Sequence, residues 1–314
     1  MGSESRNRYL LKNTLIFTLG NIGSRMISFF LIPLYTNVLT TSQYGTVDLI
    51  TTISTVAGPM LTLNIAESVM RFGLDKDADK EKNTQCGSIV LLIAMIIGLV
   101  LIPICRCITE VSDYAMYVYF YVISLSASQL FLCDLRGKEL LLKYSLGNIL
   151  QTLMIAILNI TFLLVFKMET GGYLLAYIIA NFIVAIYAII AGKGYKAFSF
   201  HNIDRCKLKE MIRYSIVLIP NTFMWWIMNS SDRVMVTYMI GAAANGIYAV
   251  SYKLPTLVST LTGIFNQAWS YSAIREEGTS DETEYNNKMF KTLSAIAFMM
   301  GIGLLLLTKP FLEV

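Results

Sequence analysis

Several ionisable side chains stand inside stretches of this sequence that are otherwise apolar. The clearest stretch is MWWIMNSSDRVMVTYMIG, Met224 to Gly241, where Asp232 and Arg233 interrupt Trp, Ile, Met, Val and Tyr. Arg25, Lys253, Asp48 and Glu67 have similar surroundings. A charge in hydrocarbon costs several kcal/mol, so such residues are rare there without a task or a partner. Cations could offset an anionic group, and buried carboxylates could carry a proton or pair with the cations. Adjacent residues point about 100° apart on a helix, so Asp232 and Arg233 are poorly placed for each other. Each is expected to meet a partner on another segment.

Other chemistry finds little support. The sequence has no Walker A, H-E-x-x-H, G-x-S-x-G or G-x-G-x-x-G pattern, and GKGYK at Gly192–Lys196 lacks the spacing of a phosphate loop. Of the cysteines, Cys86, Cys105, Cys107, Cys133 and Cys206, only Cys105 and Cys107 are close, and C-x-C alone is a weak metal signal. The single histidine, His201, lies in a polar loop. The expectation is a protein that is not an enzyme, with no metal site and no cofactor. Coupling to H⁺ or Na⁺ would fall to Asp48, Glu67 or Asp232, for which charge pairing is the alternative role.

The elements that position these residues follow from composition. The chain has 314 residues, 55% hydrophobic and 15% charged, against about 25% charged in a soluble domain. Apolar runs of 18 or more residues recur, each long enough to cross about 30 Å of hydrocarbon as a helix. The reading is an all-α polytopic membrane protein with nine spans, near 13–39, 45–68, 86–105, 114–134, 145–166, 172–192, 211–241, 244–270 and 290–308. The polar start, followed by an overlong apolar run, does not resemble a signal peptide. Of the 25 Lys and Arg, 19 fall on one side of this topology, 3 on the other and 3 within spans. The positive-inside rule then makes the N-terminus cytoplasmic.

Two stretches about 200 residues apart echo each other. Gly45 and Gly246 each open a span containing a proline (Pro59, Pro255), an Asn-x-Ala (Asn64, Asn266) and a closing arginine (Arg71, Arg275). The preceding spans each carry a serine shortly before an arginine, Arg25 and Arg233. The echo predicts two parallel six-helix bundles, a transporter plan. Residues 1–192 would form the first bundle, 193–213 a basic cytoplasmic linker, and 214–314 the first three helices of a second bundle that reads as cut short.

These residues lead to a resemblance. FFLIPLYTNVLTTSQYGTVDLI, SDRVMVTYMIGAAANGIYAVSYKLP and FNQAWSY resemble signatures of the polysaccharide flippases, the O-antigen (Wzx-type) translocases of the multidrug/oligosaccharidyl-lipid/polysaccharide exporter superfamily. The resemblance implies two V-shaped bundles that alternate between inward-open and outward-open. It implies movement of undecaprenyl-diphosphate-linked oligosaccharide across the bacterial cytoplasmic membrane for O-antigen or capsule synthesis. Membrane lipids, a glycan polymerase and glycosyltransferases would be partners, and nucleic acid would not. On this reading Arg25, Arg233 and Lys253 form a cationic cavity for the diphosphate, Arg25 matching an arginine of the related lipid-II flippases. A multidrug antiporter of the same fold and a scaffold of a glycan assembly complex are the rival readings. A membrane glycosyl-transfer enzyme would need a large outer loop that the topology lacks. The aromatic run YAMYVYFY, Tyr114 to Tyr121, fits an interfacial belt, with sugar stacking as its alternative role.

Overall fold

A computed structural model of the protein describes residues 31–75, 78–107, 111–198 and 204–253, with shorter pieces between 255 and 306. The chain divides into two compact units, residues 1–247 and 248–314. Every regular element among the described residues is helical.

In the first unit the helices are α1 (Ile32–Val38), α2 (Thr41–Leu61), α3 (Ile65–Gly73), α4 (Lys80–Cys105), α5 (Ala115–Gly137), α6 (Leu141–Ile160), α7 (Glu169–Ala191) and α8 (Arg205–Met239). A 3₁₀ turn at Ser112–Tyr114 leads into α5, and a π turn at Thr161–Val165 extends α6. Capping sets several starts. Thr40 and Gln43 form a reciprocal capping box on α2, and Asp79 and Asp204 accept the backbone N–H groups of Lys82 and Lys207 in the first turns of α4 and α8.

Four helical stretches are long and apolar enough to cross a membrane: Lys80–Cys105, Ser112–Gly137, Leu141–Val165 and Glu169–Ala191. The pair α2–α3 makes a fifth if its two halves count as one span. The protein is therefore an all-α, multi-pass membrane protein. These five coincide with the second to sixth predicted spans. The first predicted span lies largely outside the described residues, as does most of the eighth. The seventh is α8, whose 35 residues begin at Arg205 and extend about 50 Å at 1.5 Å per residue. It carries more polar side chains than the other four. On α4, Ile93, Ile96, Ile97, Val100 and Ile104 are exposed on one stripe, an apolar face suited to lipid.

The second predicted span is not one straight helix. It breaks at Thr62–Asn64, and its halves bend by 59°. Pro59 cannot donate to the carbonyl one turn back, which weakens the helix here. Leu63 N–H then donates to Met60 O (3.3 Å) and Asn64 N–H to Pro59 O (2.6 Å). That is a Schellman ending with Leu63 in the left-handed region (φ 52°), a position usually given to glycine. Asn64 follows with φ 55°.

The helices run alternately up and down. Gln43 donates to Glu169 (2.7 Å) at one end, joining the starts of α2 and α7. At the other end Lys138 and Lys143 donate to the carbonyls of Gly192 and Ala191. This second end also carries Arg71, Arg136 and Lys207, and is called the basic end below. Near it Ile65, Val69, Val90, Leu130, Phe131, Leu135, Val184 and Met211 pack into one buried cluster. Gly73 and Gly137 let α3 and α5 meet backbone to backbone there, since a Cβ on Gly73 would lie 2.8 Å from the Gly137 Cα.

Candidate functional site

Helix α8 packs antiparallel along α2–α3 for its whole length. Four contacts mark the seam: Arg233 to Asp48, Trp226 Nε1–H to Thr52 O (2.9 Å), Asn64 Nδ2–H to Thr222 Oγ1 (3.2 Å), and Ser68 Oγ–H to Met211 O (3.0 Å). The two ends of the seam are built differently.

Toward the basic end a cavity of about 760 Å³ opens among the α2–α3 break, α5, α6 and α8. The break supplies Pro59, Asn64, Ala66 and Glu67, because bending the chain there opens the space that a straight helix would fill. Gln129 and Ser128 come from α5, Asn148 and Gln151 from α6, and Asn221 and Thr222 from α8. Tyr144 and Tyr214 add aromatic faces. Asn64 and Thr222 are joined across the cavity wall, and Gln151 donates to the buried Asn181 (2.6 Å). Gln129, Asn148 and Asn221 make no side-chain hydrogen bond within the described protein. Among the described residues, Glu67 is the one charged residue in the lining, and no lysine or arginine is there.

Toward the opposite end the seam is sealed. Arg233 Nη1–H donates to Asp48 Oδ1 at 2.9 Å, with side chains 16% and 7% exposed. Asn245 donates to Gly45 O (3.0 Å) and to Asp48 Oδ2 (3.4 Å). The backbones touch beside them. A Cβ on Gly45 would fall 1.8 Å from Ala242 O, and one on Gly246 would fall 2.0 Å from Thr41 O. The contact is reciprocal: each glycine meets the carbonyl four residues before the other. Only glycine permits so close an approach.

The candidate residues of the sequence are spread over these features. Arg233 and Asp48 pair at the sealed end, so the expected partner on another span is Asp48. Asp232 accepts the Arg233 backbone N–H (2.9 Å) through its own carboxylate. Glu67 lines the cavity. Lys253 lies in the second unit on a helical segment, half-buried, and its carbonyl accepts from Thr256 (2.6 Å). Arg25 lies outside the described residues.

Some polar features had escaped the sequence reading. Asp134, 3% exposed, pairs with Lys138 (2.6 Å) and accepts from Thr84 (2.5 Å), tying α4 to α5 near the basic end. The i,i+4 spacing of Asp134 and Lys138 was the available signal. The five cavity amides were visible only as Asn and Gln within apolar runs. The flippase-like tyrosines have a packing role. Tyr35 and Tyr44 stack at 6.0 Å, Tyr35 meets Tyr173 at 4.9 Å, and Tyr173 stacks on Tyr177 at 4.8 Å. Tyr121, from the aromatic run, is buried against Tyr177, whereas Phe120 and Met116 of that run are exposed.

No curated protein and no solved structure matches the chain. Residues 10–271 match a family described as polysaccharide biosynthesis protein, and with that match over most of its length the chain belongs to the polysaccharide biosynthesis protein family.

Proposed function

We propose that the protein translocates undecaprenyl-diphosphate-linked oligosaccharide units across the bacterial cytoplasmic membrane, by alternating access. The observation that carries the proposal is the seam between α2–α3 and α8, sealed at one end by Asp48–Arg233 and the glycine contact, and hollow and polar at the other. With the basic end cytoplasmic, this arrangement is inward-open. A sugar-bearing head could enter the hollow from the cytoplasm while its polyprenyl tail stays in lipid. The reciprocal contact of Gly45 and Gly246 supports two parallel repeats, each contributing one side of the seal.

In this reading Arg25, Arg233 and Lys253 serve the diphosphate. Arg233 would become available when the sealed end opens and Asp48 lets go. Ion coupling, by H⁺ or Na⁺, belongs to Asp48, Glu67 or Asp232. The test is complementation of a strain lacking its own flippase with the gene that encodes this chain. Restored surface polysaccharide, lost in Arg25→Ala and Arg233→Ala variants that still reach the membrane, is the expected result. Full activity of both variants would remove the cationic role. One observation favours a second reading, a cation antiporter: among the described residues that line the cavity, Glu67 carries the only charge. Drug resistance conferred by the gene, with no restored polysaccharide, would select that reading.

A further inference from the structure

The cavity differs in charge from what a diphosphate needs. Among the described residues that line it no cation is found and one carboxylate is, and that carboxylate takes part in no ion pair among the described residues. Gln129, Asn148 and Asn221 project into it from three separate helices. Each side-chain amide offers two N–H donors and a carbonyl acceptor. None of the three is engaged by the protein. Polar groups within a membrane bundle cost free energy unless something satisfies them. Three left open toward a 760 Å³ space therefore face water or a ligand with many hydroxyls. Tyr144 and Tyr214 add aromatic rings to the lining, the first with the Arg136 guanidinium over it (5.5 Å) and the second packed edge to face with Phe72 (5.7 Å).

We propose that this cavity holds the sugar part of the substrate and selects glycan units without carboxylates. The inference rests on the lipid-linked oligosaccharide reading above and adds a substrate class to it. The amides of Gln129, Asn148 and Asn221 pair with hydroxyl and acetamido groups. Glu67 repels uronic acids and other anionic sugars: no lysine or arginine is among the described lining residues, and the nearby Arg136 guanidinium lies over the Tyr144 ring, 5.5 Å from its centroid. The α2–α3 break is the device that places Glu67 there: the 59° bend turns the first turn of α3, where Glu67 sits, toward the space.

The test uses the purified full chain in nanodiscs and two probes. One is farnesyl diphosphate carrying a disaccharide of N-acetylglucosamine, and the other bears glucuronic acid as its second sugar. Binding is read from tryptophan fluorescence. The expected result is at least about tenfold weaker binding of the glucuronate probe, a gap that closes in Glu67→Gln and narrows in high salt. Asn148→Ala and Asn221→Ala should each weaken the neutral probe about five- to tenfold, the usual cost of one lost hydrogen bond. Equal binding of both probes, or a gap unchanged in Glu67→Gln, overturns the inference and leaves the translocation reading standing. Failure of the neutral probe to bind the unmodified chain overturns both.

Discussion

The sealed and the hollow end of the α2–α3/α8 seam use the same pair of helices and opposite chemistry. At the sealed end the backbones approach within reach of a missing Cβ, and a buried ion pair closes the gap. At the hollow end a helix break holds the walls apart and amides face inward. The distance between them is about 17 Å, eleven residues along α8 from Thr222 to Arg233 at 1.5 Å each. A contact made of glycine backbones and one ion pair can open as a unit, because little side-chain packing has to be undone. A chamber whose described lining is mostly uncharged, with Glu67 as its charge, would on the proposed reading release a sugar as readily as it binds one. On the proposed translocation reading, one seam would close on one side of a membrane and admit a bulky polar head on the other.

The comparison breaks most sharply at the ion pair. Arg233→Ala leaves Asp48 buried with its charge uncompensated, at a cost of about 3–5 kcal/mol at the sealed end. Asp48→Asn combined with Arg233→Gln should recover a large part of that loss, because neither partner is then left as a lone ion. A double-mutant cycle on thermal unfolding in detergent, with labelling of a Thr237→Cys probe, buried while the seal is closed, to report opening, reads both effects. A double variant as unstable as Arg233→Ala would show that the pair does not act as a closure.

The glycine contact comes next. Gly45→Ala or Gly246→Ala places a methyl where backbone carbonyls already sit 1.8–2.0 Å from the ideal Cβ positions. The helices must separate, at a cost of about 1–3 kcal/mol. Gly194→Ala is the control, since its nearest neighbour would be 3.6 Å away and the change should be close to neutral. The reciprocal geometry makes a further demand: the two seal variants should be destabilised by similar amounts. A twofold symmetric contact predicts equality, and a strong asymmetry would argue against it.

How much of this was legible in the sequence depends on the kind of feature. The five span regions visible in the structure follow from apolar runs, since eighteen such residues have few other places to go. That Arg233 would meet a partner on another span followed from helix geometry, and Asp48 is such a partner. The break at Thr62–Asn64 was only partly legible: Pro59 and Asn64 stood out within the span, but the first left-handed position is filled by Leu63 rather than glycine, so nothing marked the helix as ending there. The cavity amides were not legible. Asn148 and Asn221 in apolar runs read alike whether they face lipid, a neighbouring helix or a hollow, and only the packing of four elements decides. Gly45 and Gly246 were matched as equivalent by sequence, but that they would touch each other is a property of the folded seam alone.

The smallest expected effect sharpens the hollow end. Leu63 holds φ 52° with a branched side chain, a conformation that costs an L-residue about 1–2 kcal/mol. Leu63→Gly removes that cost but adds backbone freedom to the unfolded chain, which takes back up to about 1 kcal/mol. The net change in stability should therefore be small and favourable, about 0–1 kcal/mol, read as a rise in midpoint temperature. The informative partner is Leu63→Ala, which keeps the left-handed cost and loses side-chain contact, and so should lower the midpoint. If glycine also lowers it, the break draws its stability from the leucine side chain rather than being imposed on it by the hydrogen bonds of Leu63 and Asn64 to Met60 and Pro59. The bend that shapes the cavity would then be set by packing, and substitutions around Leu63 would be expected to change the cavity as strongly as those that line it.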